Sequence, residues 1–104
     1  MDIEILFIDS AKLKRMQLLH VRFLLFDLRG REAFDKGHIE NAFHLEKAVF
    51  LDHLLKSVSL KETPIVIYDE DGSDVVPLAQ EAEKQGYLNI VALEGGYKNF
   101  EAAK

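Results

Sequence analysis

The feature that most constrains this chain is an alternation of short, nearly unbroken apolar runs with stretches of helical period. Phe23-Leu24-Leu25-Phe26 and Ile65-Val66-Ile67-Tyr68 carry no in-and-out alternation of polar and apolar residues. Strands of that kind must be covered on both faces, as in a parallel sheet held between helices. The covering segments lie between the runs. From Glu46 to Val58 the residues Ala48, Leu51, Leu54, Leu55 and Val58 form an apolar stripe. Val75, Leu78, Ala79 and Ala82 form another, with Pro77 tolerated in its first turn and Gly86 ending it. Strand–helix–strand order requires right-handed crossovers. The fold class expected is therefore α/β in three layers, with a mostly parallel sheet flanked by helices.

Weaker signals fill in the remaining elements. Ile3 to Ile8 alternates as a strand would, and Ser10 reads as the N-cap of a helix carrying Leu13, Met16 and His20. Phe23–Leu28 is a strand, Gly30–Gly37 a loop or one helical turn, and Ala42–Leu45 a short strand. After Thr63-Pro64 comes the strand Ile65–Tyr68, then a polar loop around Gly72, and Asn89–Leu93 is the last strand. Gly95-Gly96 makes a turn before a terminal helix over Tyr97–Ala103. The 104 residues, 48% hydrophobic, suffice for one modest core, so a single domain over 1–104 is expected. The apolar runs are too short to span a bilayer, and no basic, then apolar, leader opens the chain. The net charge of −5 disfavours nucleic acid as a partner. With no cysteine, a disulfide scaffold, a thiolate metal site and a cysteine nucleophile are all excluded. These properties describe a soluble, acidic, cytoplasmic domain.

Sites in open parallel sheets form outside the carboxyl ends of the strands. Two loops qualify: Arg29–His38, and Asp69-Glu70-Asp71-Gly72-Ser73-Asp74. The second has the layout of an anion cradle, a tight loop leading into a helix N-terminus. Its side chains oppose that use, since four of the six are carboxylates and none is a lysine or arginine. Two like charges ~5 Å apart at an effective dielectric of ~20 repel by roughly 3 kcal/mol.

Three blocks in order carry a family resemblance. Asp27-Leu28-Arg29, Phe34, Gly37-His38-Ile39 and Ala42 resemble in register the Asp-Val-Arg … Gly-His-Ile-x-x-Ala signature of rhodanese-like domains. Pro64–Tyr68 resembles the strand leading into that family's active-site loop. Gly86-Tyr87-Leu88-Asn89-Ile90, Leu93-Glu94-Gly95-Gly96 and Phe100 resemble its closing pattern. The resemblance implies a central, mainly parallel five-stranded sheet. It also implies an active-site loop of the sulfurtransferase length, opened by the cysteine on which active members carry a persulfide. In this sequence that position is Asp69, and the position where many members carry a cation is Asp74. A carboxylate cannot form a persulfide and is a hard, weak nucleophile toward sulfur.

The loop admits other readings. Ile65–Gly72 is similar to the first motif of haloacid-dehalogenase-type phosphatases, which would make Asp69 a nucleophile, Asp71 an acid/base and magnesium a cofactor. That family also uses a downstream Ser/Thr, a lysine and a late acidic pair, whereas this chain has no serine or threonine after Ser73 and no aspartate after Asp74. A cation site of Asp69, Glu70, Asp71 and Asp74 lacks EF-hand spacing, and a solvated acidic loop is the simpler reading. His38 is expected to bond to nearby backbone or to Asp27, and His20, His44 and His53 show no ligand spacing. Asp27 and Arg29 read as a scaffold ion pair, and Tyr87, Tyr97 and Phe100 as core. The expectation is an inactive rhodanese-homology domain with no cofactor and no metal. Its loop Asp69–Asp74 would contact a protein partner of basic character, with neither nucleic acid nor membrane involved. A metal-dependent phosphohydrolase, or residual rhodanese-related activity, is the alternative.

Overall fold

Strand and helix alternate along the chain as the apolar pattern requires. The structure, a computed structural model, describes residues 6–102. The elements are β1 (Leu6–Ile8), α1 (Ser10–Leu18), β2 (Leu24–Asp27), α2 (Arg31–Lys36) and β3 (Phe43–His44), then a 3-10 turn at Lys47–Val49 running into α3 (Phe50–Ser57). They continue as β4 (Ile65–Tyr68), α4 (Val75–Lys84), β5 (Ile90–Leu93) and α5 (Gly96–Ala102). The five strands form one sheet in the order β1-β5-β4-β2-β3, and every pair is parallel.

β4 is buried at all of its positions because it lies between β2 and β5 and is covered on both faces. Its alternate side chains divide the core. Ile65 and Ile67 pack with Phe26, Phe50, Leu54, Val75 and Ala79, under α3 and α4. Val66 and Tyr68 pack with Leu13, Leu25, Ile39 and Phe100, under α1 and α5. The expected three layers are thus two apolar cores sharing one sheet. All carboxyl ends of the strands point to one end of the molecule, where Asp27 and Asp69 sit.

Several local expectations need correction. The N-cap of α1 is Asp9, not Ser10: its side chain accepts a bond from the Lys12 N–H at 2.7 Å, and Ser10 is the first helical residue. His20 lies beyond α1 with a positive φ of 56°. The stripe over 46–58 is a 3-10 turn followed by α3, separated where Val49 leaves the helical ψ (φ −109°, ψ 0°). Gly30–Gly37 contains a full short helix, α2. The parts of the Ile3–Ile8 and Tyr97–Ala103 expectations that fall on residues 3–5 and 103 lie outside the described residues. Among the described residues no helix is long and apolar enough to cross a membrane.

Candidate functional site

The carboxyl end of β4 delivers the chain into Asp69, whose environment differs from that of a solvated loop residue. Asp69 is only 2% exposed. Its Oδ1 accepts the Gly72 N–H at 2.5 Å and its Oδ2 the Asp74 N–H at 2.8 Å. The cradle of amides ahead of α4 therefore exists, and the loop's own carboxylate fills it. Asp69 does not belong to an acidic surface.

α5 clamps the loop from behind. The Tyr97 N–H donates to the Asp69 carbonyl at 2.8 Å and the Lys98 N–H to the Glu70 carbonyl at 2.9 Å. This approach requires glycine at position 96, where φ is +66° and a Cβ would come within 2.7 Å of the Asp69 carbonyl oxygen and the Asp71 nitrogen. At Gly72, a φ of +88° turns the loop back toward Gly95.

The remaining carboxylates are partnered, which corrects the picture of unrelieved repulsion. Glu70 Oε2 lies 3.4 Å from Arg29 Nη1, and Asp74 Oδ2 lies 3.1 Å from Lys47 Nζ. Asp71 accepts bonds from the Ser73 hydroxyl at 2.6 Å and the Ser73 N–H at 3.0 Å, which hold its carboxyl below the usual range. No cation lies within the loop's sequence; two arrive from other elements. Glu70 and Asp74 nevertheless keep side-chain exposures of 60% and 65%.

Beside the loop lies a buried ion pair. Arg29 Nη2 is 2.7 Å from Asp27 Oδ2, and its Nε bridges both carboxylate oxygens at 3.1 Å. The Arg29 N–H also bonds to Asp27 Oδ1 at 2.9 Å, and Nη2 donates to the Gly37 carbonyl at 2.6 Å. Burial pulls the guanidinium pKa down, but the hydrogen bonds and charge of Asp27 outweigh it and the net direction is upward. Tyr68 is fully buried and accepts the Ile39 N–H at 3.1 Å. Burial, reinforced by Asp27, pushes its hydroxyl far above the ordinary tyrosine range. Asp27 and Arg29 thus tie β2 to the Gly37 turn and to the rim of the loop.

His38 takes the backbone option: its Nδ1 lies 2.9 Å from the Phe34 carbonyl and its ring stacks on Phe34 at 3.8 Å, rather than meeting Asp27. His53 sits edge-on to Phe26. Tyr87 and Phe100 are buried in the two cores. Tyr97 is half-buried and has a further place that its sequence position does not signal, with its ring 4.0 Å from the Arg29 guanidinium. Two other participants escape the sequence reading. His44 Nε2 donates to the Arg29 carbonyl at 2.7 Å, and Lys47 pairs with Asp74. The β2–β3 register, which sets His44 opposite Asp27, is the signal that would locate His44. For Lys47 there is none.

Among the described residues, no group of three or more His, Cys, Asp or Glu side chains is placed to hold a metal ion. Asp69 has turned both oxygens to backbone amides and Asp71 has turned to Ser73, so the two do not converge on a common point.

Comparison with known proteins follows the same lines. The family model described as rhodanese-like domain matches residues 9–103. Thiosulfate sulfurtransferase GlpE of Coxiella burnetii is 29% identical over 79 residues, which cover 76% of this chain and 72% of that protein. The Alr3790 protein from Anabaena sp. has a similar fold, with a TM-score of 0.84 at 22% identity over 92% of this chain and 77% of that one. The human single-domain sulfurtransferase TSTD1 has a TM-score of 0.78 at 21% identity, covering 93% and 96% of the two chains.

Proposed function

The chain belongs to the rhodanese-like domain family, and from that premise we propose that it is a member without sulfurtransferase activity that serves as a binding module. One observation carries this reading. The amide cradle ahead of α4, where an active member would hold its thiolate, is filled by the buried Asp69 carboxylate with a bond to each oxygen. The Gly72 and Asp74 amides, engaged by this internal anion, are not available to thiosulfate. The carboxylate also repels a divalent donor and cannot carry a sulfane sulfur. The chain contains no other thiol to replace it.

What such a loop retains is a defined shape. Asp69 and the α5 amides hold its backbone, and Glu70, Asp71 and Asp74 present their carboxylates outward from it. Arg29 and Lys47 reduce their net field, so a basic partner would gain by offering shorter, better aligned bonds than the 3.4 Å and 3.1 Å pairs it displaces. The contact surface proposed is the exposed side of the loop Asp69–Asp74, formed by Glu70, Asp71 and Asp74, in the cytoplasm and toward a protein with exposed arginine or lysine. No observation favours the phosphohydrolase reading.

The test has two arms. The purified protein is assayed for sulfur transfer from thiosulfate to cyanide, and for phosphate-ester hydrolysis with and without magnesium. A quantitative pull-down then compares wild type with an Asp71→Ala/Asp74→Ala variant, which leaves the buried Asp69 in place. Turnover in either assay that disappears on changing Asp69 would overturn the reading, as would partners captured equally by both proteins.

A further inference from the structure

The cations of this acidic chain are unevenly distributed. Lys12, Lys14, Arg15 and Arg22 fall between Ser10 and Phe23, a stretch with no acidic residue, while all 18 acidic residues share the rest of the chain with the other nine cations. Lys12, Arg15 and Arg22 are exposed, and among the described residues they enter no ion pair. By contrast, Arg31, Lys36, Lys47, Lys56 and Lys84 each pair with a carboxylate.

The same stretch exposes large apolar side chains: Leu18 is 77% exposed, Leu19 66% and Val21 46%. Adjacent exposed leucines at a helix end are costly to leave in water, and a patch of this kind rimmed by charge marks an interaction surface. The turn that ends α1 builds the patch. His20 adopts a left-handed φ of 56°, and the Val21 N–H reaches back to the Met16 carbonyl at 3.0 Å. This turn brings Val21 beside Leu19, Met16, Arg15 and Lys12 on the wall of a cleft of about 410 Å³. Val21 also borders a cleft of about 600 Å³ that runs past Arg22 and Phe23 to Phe43 and Pro64, and a smaller one of about 230 Å³ beside Gln17 and Glu40. Of the two carboxylates in these walls, Asp9 is engaged as the cap of α1, and Glu40 lines the smallest cleft, where its carbonyl accepts a bond from the Gln17 side chain at 3.1 Å.

We infer that the exposed face of α1, together with Val21 and Arg22, is a docking surface for a segment of another protein that carries large apolar side chains among carboxylates. Charge complementarity selects the acidic character, because Lys12, Arg15 and Arg22, exposed and without an ion pair among the described residues, gather here on a chain of net charge −5. The clefts select a protein segment over an anionic membrane: each has room for inserted side chains, as in helix-in-groove recognition, whereas a bilayer meets a smooth apolar face. The surface lies at the amino end of β2, opposite the Asp69 loop at the carboxyl end of β4. It therefore stands or falls independently of the function proposed above.

The test is selection of a random peptide library on the intact protein. Mapping of the bound site by amide chemical shifts and titration into phosphatidylserine vesicles accompany it. Enriched peptides should combine Asp or Glu with Leu or Phe, and should shift Lys12–Arg22. They should bind more weakly as salt rises and lose roughly tenfold or more in affinity with Arg15→Glu or with Leu19→Ser. Both side chains are exposed, so an unchanged melting temperature is expected for each variant. Lys12→Glu repeats the charge test should one of them fold poorly. The inference is overturned if no acidic, apolar sequence is enriched or if the shifts fall on Asp69–Asp74. Binding unaffected by these variants, or binding to vesicles in place of peptide, overturns it too.

Discussion

The Arg29 guanidinium lies 4.0 Å from the centre of the Tyr97 ring, so a cation that follows β2 is roofed by an aromatic side chain from α5. Beneath it, Asp27 is fully buried and bonds to the same guanidinium through both oxygens. Truncating either member leaves the other charge buried without its partner, so Asp27→Ala and Arg29→Ala should each cost about 3–5 kcal/mol. Arg29→Lys should recover little, because one ammonium cannot serve Asp27 and the Gly37 carbonyl in the fork that Arg29 uses. Tyr97→Leu should cost nearer ~1 kcal/mol. Denaturant unfolding measures all four, and near-equal costs for Arg29→Ala and Tyr97→Leu would contradict this ordering.

Removing the carboxylate that fills the loop exposes its role. Asp69→Ala strands the N–H groups of Gly72 and Asp74, at a cost of about 1–3 kcal/mol. Asp69→Asn keeps one acceptor and should cost less. Amide exchange at Gly72 and Asp74 should accelerate in the order wild type, Asn, Ala. Unchanged exchange in Asp69→Ala would show that the carboxylate does not hold these amides.

A thiol placed in the same cradle tests whether the scaffold still supports sulfur chemistry. Asp69→Cys alone should show little or no cyanolysis, because Asp74 and Glu70 still face the anionic donor. Adding Asp74→Arg changes the local charge by two units and leaves Lys47 without its carboxylate partner. The double variant should then gain weak sulfur transfer and a persulfide detectable by mass spectrometry, aided by the α4 dipole. A folded double variant with an ordinary thiol pKa and no persulfide would show that the amides no longer converge once Asp69 is gone.

Two glycines near the site should respond in opposite ways. Gly96→Ala drives a Cβ to 2.7 Å from the backbone of Asp69–Asp71 at a φ of +66°, and should cost well over ~1 kcal/mol. Gly30 caps α2 at φ −65° with nothing within 4 Å of an added Cβ, so Gly30→Ala should stay within about 1 kcal/mol. Melting temperatures of the two variants decide the comparison.

Tyr68 predicts the alkaline limit of stability. Burial and Asp27 keep its hydroxyl protonated in the folded protein, whereas the unfolded chain releases the proton near pH ~10. Its folded value is the higher one, so its contribution is complete below about pH 10 and is lost as pH rises beyond it. Stability should therefore fall from about pH 10 upward, with phenolate absorbance of Tyr68 appearing only on unfolding. Tyr68→Phe should flatten that fall while losing the acceptor for the Ile39 N–H. Titration of Tyr68 in the folded state near its ordinary value would refute the argument.

Some of this architecture is legible before any coordinates. Ile65–Tyr68 is β4 residue for residue, because four unbroken apolar positions cannot lie anywhere but between two covered faces. Other boundaries are not so settled. Asp9 and Ser10 are both capping residue types, and the choice rests on which side chain reaches the Lys12 N–H. The stripe over 46–58 has one period throughout, yet backbone geometry at Val49 divides it.

Apolar runs and their order were enough to indicate a parallel α/β fold in three layers, three motif blocks carried the family resemblance, and the absence of cysteine excluded a thiol nucleophile, since each depends on neighbouring residues or simple presence. The state of the site required the folded chain. Counting carboxylates in Asp69–Asp74 treats four residues alike, but crossovers bring Arg29 and Lys47 to two of them, Ser73 satisfies a third and backbone amides draw the fourth inside. Those partners lie up to 41 residues away, and no local pattern encodes such a meeting. It follows from the parallel register that sets the ends of β2 and β4 side by side, which is a property of the sheet and not of either strand.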